Sequence, residues 1–265
     1  MDKTIELVNS VKDIQAMPSV IVKVLNVMKK PTVSMKELGD IVMYDQSLTV
    51  KILALVNSAY YGFSQQISSI SIALSLLGMV KVKNIIVAVA MKPMMSNAGS
   101  KDLWKHSIRV AAGCEYLAKL TKIMDEDEAF IAGFIHDIGK TVLHSSNTKA
   151  YEKVITLVNE GHDILEVEKK YFDSDHVRTG SLLAKRWQLP ILLANIISYH
   201  HSPSLSSIPV PCNLVCAIDK LVQENFNPNV MDKDFLKTLG IDLDDLEDLR
   251  NAILQKAELL ISELS

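Results

Sequence analysis

The chain has 265 residues, 48% of them hydrophobic, and a formal net charge of −3. That length supports a sizeable core, in one large domain or two lobes, and the mild acidity without a basic patch gives no reason to expect nucleic acid. The three cysteines, Cys114, Cys212 and Cys216, lack the spacing of a small secreted domain; they read as buried thiols in a reducing cytoplasm.

Eight prolines, ten glycines and long apolar periodicity with few alternating runs predict an all-α protein. Met1-Asp2-Lys3 leads into a polar–apolar alternation over 5–11, a short leading helix and not the hydrophobic block of a secretory signal. Pro18 opens a helix over 19–29 with Val20, Val24, Val27 and Met28 as its apolar stripe, and Pro31 closes it. Ser34 and Glu37 have capping-box spacing ahead of Leu38, Ile41 and Val42. A helix over 48–58 ends at the tight corner Tyr60-Tyr61-Gly62. With Asn57 these aromatics either line a ligand groove or pack the corner, the second being the simpler reading. Residues 68–77 and 80–91, joined at Gly78, form the most apolar stretch. Lys81 and Lys83 near its middle would be costly in a bilayer, so it is expected to be a buried hairpin with no membrane contact. Residues 1–95 make an N-terminal helical lobe.

Residues 94–101 (MMSNAGSK) are the expected linker. Helices follow over 103–120, 127–138, 149–160, 164–172, 176–187 and 190–199, then a loop over 204–211 and a helix over 213–223. A last amphipathic helix, 244–264, docks through Leu246, Leu249, Ile253 and Leu260. Residues 96–265 therefore form a second lobe.

Several of these helices direct a histidine or aspartate inward. In AFIAGFIHDIGK (129–140), Ala129, Ala132, Gly133 and His136 share one side, and Asp137 follows where the helix is expected to stop at Gly139. His106 shares a face with Leu103, Val110 and Leu117, with Asp102 one turn earlier. His176 lies with Gly180, Leu183 and Trp187; His200 follows Leu193 and Ile196 or Ile197, with His201 beside it; Asp219 sits between Val215 and Val222. Singly, each reads as a satisfied core polar residue. Together they do not, because burying unpartnered carboxylates costs on the order of several kcal/mol each and no Lys or Arg falls on those faces. A divalent cation supplies the charge and takes neutral imidazoles as ligands. His144 and His162, in loop-like or polar surroundings, are left out.

The order His106, His136-Asp137, Asp219 resembles the H…HD…D pattern of the HD superfamily of metal-dependent phosphohydrolases. The wider chain, over 14–210, resembles the HDOD family of bacterial signalling proteins. The similarity runs through Met17-Pro18, NSAYYG (57–62), ISSISIALSLLG (67–78), FIHDIGK (134–140), RWQLP (186–190) and the His200-His201-Ser202-Pro203 turn. It implies an N-terminal helical bundle joined to an HD-like lobe. Set against the HD-GYP phosphodiesterases, which cleave cyclic di-GMP, His106, His136, Asp137, His176, His200, His201 and Asp219 match metal-ligand positions. Asp102 takes the place of a further carboxylate and Lys140 that of the lysine after the HD pair. The resemblance implies two divalent ions, iron or manganese for a mixed His and carboxylate set, activating a water for attack at phosphorus. Asp137 and Lys140 are then catalytic. Lys140 either neutralises a phosphate oxygen or satisfies carbonyls at a helix C-terminus. The departure is SPSLSSIPVP after His201, where no Gly-Tyr-Pro loop stands. The expected function is a cytoplasmic signalling output module with a metal centre, serving a signalling protein partner or a small phosphorylated ligand. The alternative is an active phosphohydrolase on a nucleotide or cyclic nucleotide, and the third reading a metal-free scaffold.

Overall fold

Helix-capping residues set out most of the elements. The computed structural model describes residues 2–11, 14, 16–28, 34–58, 63–97 and 101–264. Among them every regular element is helical and none is a strand. In chain order these are α1 (Lys3–Ser10), α2 (Ser19–Met28), α3 (Met35–Met43), α4 (Gln46–Val56), α5 (Ile70–Asn97), α6 (Lys101–Thr121), α7 (Glu126–Ile135) and α8 (Ile138–Ser146). They continue as α9 (Thr148–Asn159), α10 (Ile164–Phe172), α11 (His176–Arg186), α12 (Ile191–Tyr199), α13 (Pro209–Leu221), α14 (Lys233–Thr238) and α15 (Leu246–Leu264). The chain is all-α. Pro31 and the Tyr60-Tyr61-Gly62 corner lie outside the described residues.

Two compact units result. One is Met1–Ala16 with Met94–Leu254, the other Met17–Pro93 with Gln255–Ser265. This differs from a single break near residue 95 at both ends of the chain. The α1 segment belongs with α8 and α11, because Thr4 Oγ1 lies 2.9 Å from Ser174 Oγ and Arg186 donates to Asn9 at 2.7 Å. The last residues of α15 belong with the second unit, where Lys51 and Lys92 both donate to the Leu264 carbonyl, at 3.0 and 2.8 Å.

In the second unit the Ser34–Glu37 capping box is formed in both directions, and Asp45 caps α4 through the Ser47 and Leu48 amides. α3 packs on α2 and α4 around Val24, Leu38, Val42, Ile52 and Leu55. The Asn57 side-chain amide brackets the Ile67 backbone, with both bonds at 2.7 Å. The expected join is present: α5 is two helical segments that meet at Gly78, whose φ of 77° and ψ of 164° are not helical. Its helix runs on to Asn97, through most of the expected linker; residues 98–100 are not described. Ile70–Ser96 is long and apolar enough to cross a membrane, and 61% of its most apolar window is buried.

In the first unit α7 packs on α6, α11 on α8, and α12 on α7, α11 and α13. Two glycines permit this. A Cβ on Gly133 would lie 3.0 Å from the Ala111 Cα, and one on Gly139 would lie 1.9 Å from the His176 carbonyl oxygen. Gly139 is thus no helix stop. α7 ends at Ile135, His136-Asp137 form the break, and α8 starts at Ile138 so that its first turn rests on α11.

Candidate metal centre

Three of the histidines spend their Nδ1 atoms on acceptors behind them. His136 and His200 are the residues that end α7 and α12, where the last-turn carbonyls lack amide partners. His136 Nδ1 donates to Gly133 O at 2.8 Å, and His200 Nδ1 to Ile196 O and Ile197 O at 3.1 and 3.2 Å. His176 opens α11 and its Nδ1 donates to Glu168 Oε2 at 2.7 Å. A carbonyl oxygen only accepts, so in the neutral rings of His136 and His200 the proton is on Nδ1 and the Nε2 lone pair faces forward.

Those forward faces converge. Asp137 Oδ2 lies 3.5 Å from His106 Nε2 and 3.2 Å from His136 Nε2. Asp219 Oδ1 completes that group, 3.1 and 3.8 Å from the same nitrogens. The other oxygen, Asp137 Oδ1, lies 3.3 Å from His176 Nε2 and 3.6 Å from His200 Nε2. His201 Nε2 closes this second group at 3.0 Å from His176 Nε2. The result is two sets of four ligand-type residues sharing one carboxylate, each set with donor atoms within 4.8 Å of one another. Bonds of about 2.1 Å to a common ion would separate neighbouring donors by roughly 3.0–3.4 Å, so the observed spacings fit such a polyhedron. His106 Nε2, His136 Nε2 and Asp137 Oδ1 are buried without a hydrogen-bond partner. Lone pairs aimed at one another in a dry interior call for a cation or for protons between them.

The electrostatics agree. Burial works to raise the Asp137 pKa, but His136 and Lys140 outweigh it and hold the carboxyl well below its usual range. Asp219 is likewise depressed by His106 and His136 against the effect of burial. For His136 burial works downward, yet Asp137 and Asp219 lift it to about 10, so the metal-free site keeps a proton there at neutral pH. His201 goes the other way, down to about 2, through burial and the neighbouring His200 and His176. The group is reached from the His106 and Asp219 side, where the side chains are 23% and 12% exposed.

Seven expected residues are therefore brought together, and Asp102 is not. It stands one turn before His106 in α6, is exposed, and belongs to neither set. Lys140 lies in the first turn of α8 rather than at a helix C-terminus, and its ammonium donates to Asp137 Oδ2. The inward faces are thus not free of Lys, because the α7–α8 break turns Lys140 back onto the carboxylate. His144 is 2% exposed, its ring 5.3 Å from that of Tyr151, so it is no loop residue; His162 is exposed. Cys212 is buried and donates to Ser206 Oγ at 3.2 Å. Glu168 and Tyr151, absent from the sequence-based set, stand behind His176: the tyrosine hydroxyl donates to Glu168 Oε1 at 3.0 Å. The signal for Glu168 is a carboxylate four residues after Ile164 on the face that Val167 and Phe172 bury. His201 also borders an open cleft of about 400 Å³ lined by Leu165, Lys169, Asp175, Val177, Arg178 and Ser202 among others.

The sequence pattern of the HDOD domain matches residues 14–203. The chain belongs to the HDOD family. An HDOD domain protein of unknown function from Geobacter sulfurreducens has the same fold, with 22% identity, a TM-score of 0.83 and 99% and 97% of the two chains covered. An uncharacterized protein of Treponema pallidum (strain Nichols) is 26% identical over 208 residues, which is 74% of this HDOD chain and 39% of that protein. A ribonuclease Y of Ureaplasma parvum serovar 3 is 30% identical over 126 residues, 48% of this chain and 20% of the other. The matched part is thus well under half the length of either relative.

Proposed function

We propose that this HDOD protein is a signal-transduction output module whose first unit would hold two divalent ions, with Asp137 common to both sets of donors. The observation that carries the reading is the division of one carboxylate: Oδ2 faces His106 and His136, Oδ1 faces His176 and His200. Asp219 would complete the first position and His201 the second. The mixed imidazole and carboxylate donors suit iron or manganese. When bound, such ions polarise a phosphoryl oxygen and make a water acidic enough to attack at phosphorus. The protein's own groups would then do the rest. Lys140, 18% exposed and ion-paired to Asp137, would supply a positive charge to a bound phosphate. Lys169 and Arg178 in the cleft beside His201 favour an anionic ligand. The exposed apolar side chains Met43, Tyr44 and Val50 in the second unit suit a protein partner.

The second reading is an active phosphohydrolase on a nucleotide or cyclic nucleotide. It is favoured by the completeness of the donor set and by the likeness of part of the chain to a ribonuclease. Against cyclic di-GMP as the substrate stands the segment after His201, which forms a 3₁₀ turn (Pro203–Leu205) and the start of α13 in place of a Gly-Tyr-Pro loop. Metal analysis of protein purified without added metal, followed by assay on a generic phosphodiester with Mn²⁺ or Fe²⁺, separates the readings. Bound metal without turnover supports the output module. Turnover lost in His136→Ala and kept in His162→Ala establishes the hydrolase. Protein free of metal that takes up none rejects both.

A further inference from the structure

Glu168 is fully buried on α10, an element that brings no other group to the centre. Its carboxylate is nevertheless saturated by donors. Oε2 accepts from the His176 backbone amide at 2.8 Å and from His176 Nδ1 at 2.7 Å, and Oε1 accepts from the Tyr151 hydroxyl at 3.0 Å. Tyr151 is itself fixed, 4% exposed with its ring 6.1 Å from Phe172 and 5.3 Å from His144. His136 and His200 rest on neutral backbone carbonyls; His176 alone among the three rests on a carboxylate. A charged acceptor makes the stronger bond to an imidazole N–H and makes the opposite nitrogen a better donor.

The two halves of the centre also differ in a way that gives this bond a purpose. The half built on His106 and His136 has two carboxylates, Asp137 and Asp219. The half built on His176, His200 and His201 has only the shared Asp137. Glu168 restores the balance, acting through an imidazole instead of directly.

We propose that Glu168, held in place by Tyr151, is a positioning residue for the three-imidazole half, fixing the His176 tautomer and raising that half's affinity for a divalent ion. The proposal rests on the metal reading above, and its test is arranged to tell the two apart. Metal-free full-length chain is titrated with Co²⁺ by calorimetry and by visible absorption. In the unaltered protein two equivalents bind. In Glu168→Gln, which keeps the shape and removes the charge, one of them weakens about 10–100-fold with a changed ligand-field spectrum, and the other stays within about 2-fold. Tyr151→Phe weakens the same equivalent by a smaller factor.

Two unchanged affinities in Glu168→Gln overturn the proposal and leave the metal centre standing. Equal loss at both positions, together with a lowered melting temperature of the metal-free chain, also overturns it, because the role is then structural. Unaltered protein that binds no Co²⁺ removes the metal reading and this proposal with it. Should Glu168→Gln not fold, Tyr151→Phe decides: selective loss supports the assignment and no loss ends it.

Discussion

Asp137 cannot satisfy both of its neighbour sets with one proton. One oxygen faces His106 and His136, the other His176 and His200, and Lys140 supplies a single cation. In the metal-free protein the balance is made by His136, whose pKa stands at about 10. A divalent ion at this position must displace that proton, so metal uptake is linked to pH. The apparent affinity is expected to rise about tenfold per pH unit between neutrality and about pH 10. Calorimetry in two buffers of different ionisation heat should show close to one proton released by the ion bound at His136; no buffer dependence would count against the site. The sign for stability of the metal-free fold is the reverse. Because the folded pKa of His136 is raised, its contribution is complete below about 6.5 and is lost as pH climbs through about 10. Because that of Asp137 is depressed, its contribution is present above the usual carboxylate value and is lost on acidification. Most residues that converge here were legible because His106, His136, His176, His200 and Asp219 fall at apolar positions of a helical period, with Asp137 and His201 next to two of them in sequence. Asp102 shares that period with His106 yet stays exposed, since one helical turn at the start of α6 carries it past the rim. Lys140 is named by the resemblance, but its turn onto Asp137 was hidden by the two-residue break before α8, which no periodicity announces.

At the scale of elements, glycines decide how closely the helices approach. Gly139→Ala would press a methyl onto the His176 carbonyl, which is backbone and cannot swing away. The expected loss is about 3 kcal/mol or more in urea denaturation, together with weakening of any metal binding, because Asp137 directly precedes α8 and His176 opens α11. Gly133→Ala meets Cys114 Sγ and Ala111 Cα at 2.9 and 3.0 Å and should cost less, about 1–3 kcal/mol. An equal tolerance of both changes would contradict the packing described. In sequence, a glycine that admits a neighbouring helix looks the same as one that ends its own, so Gly139 was read as a stop. Proline was better placed to be informative at α13. Pro209 stands in its first turn, so the helix starts four residues ahead of the expected Asn213.

For the whole molecule, the site lies entirely within the unit Met1–Ala16 and Met94–Leu254. Both tryptophans, Trp104 and Trp187, lie in that unit as well. Tryptophan fluorescence therefore reports on the site-bearing unit, and far-ultraviolet dichroism on all the helices. Metal at about 100 times its dissociation constant should stabilise the fluorescent unit by about 2.7 kcal/mol, and a chelator should remove that gain. His136→Ala, which removes a donor from one of the two sets, should show a smaller difference between its melts with and without chelator. Superimposable fluorescence melts of the unaltered protein in metal and in chelator would deny the linkage. The helical class was legible from composition and period alone. That the first sixteen residues belong with 94–254 was not, since it depends on contacts such as Thr4 with Ser174 that link residues 170 positions apart and leave no local mark.

That same hydrogen bond sets an order of events during synthesis. At about 5–20 residues per second, roughly 10–30 s separate the emergence of α1 from that of the surface on which Leu7 and Val8 are buried. For that interval the leading helix is an amphipathic segment without its seat, open to whatever chaperone meets the nascent chain.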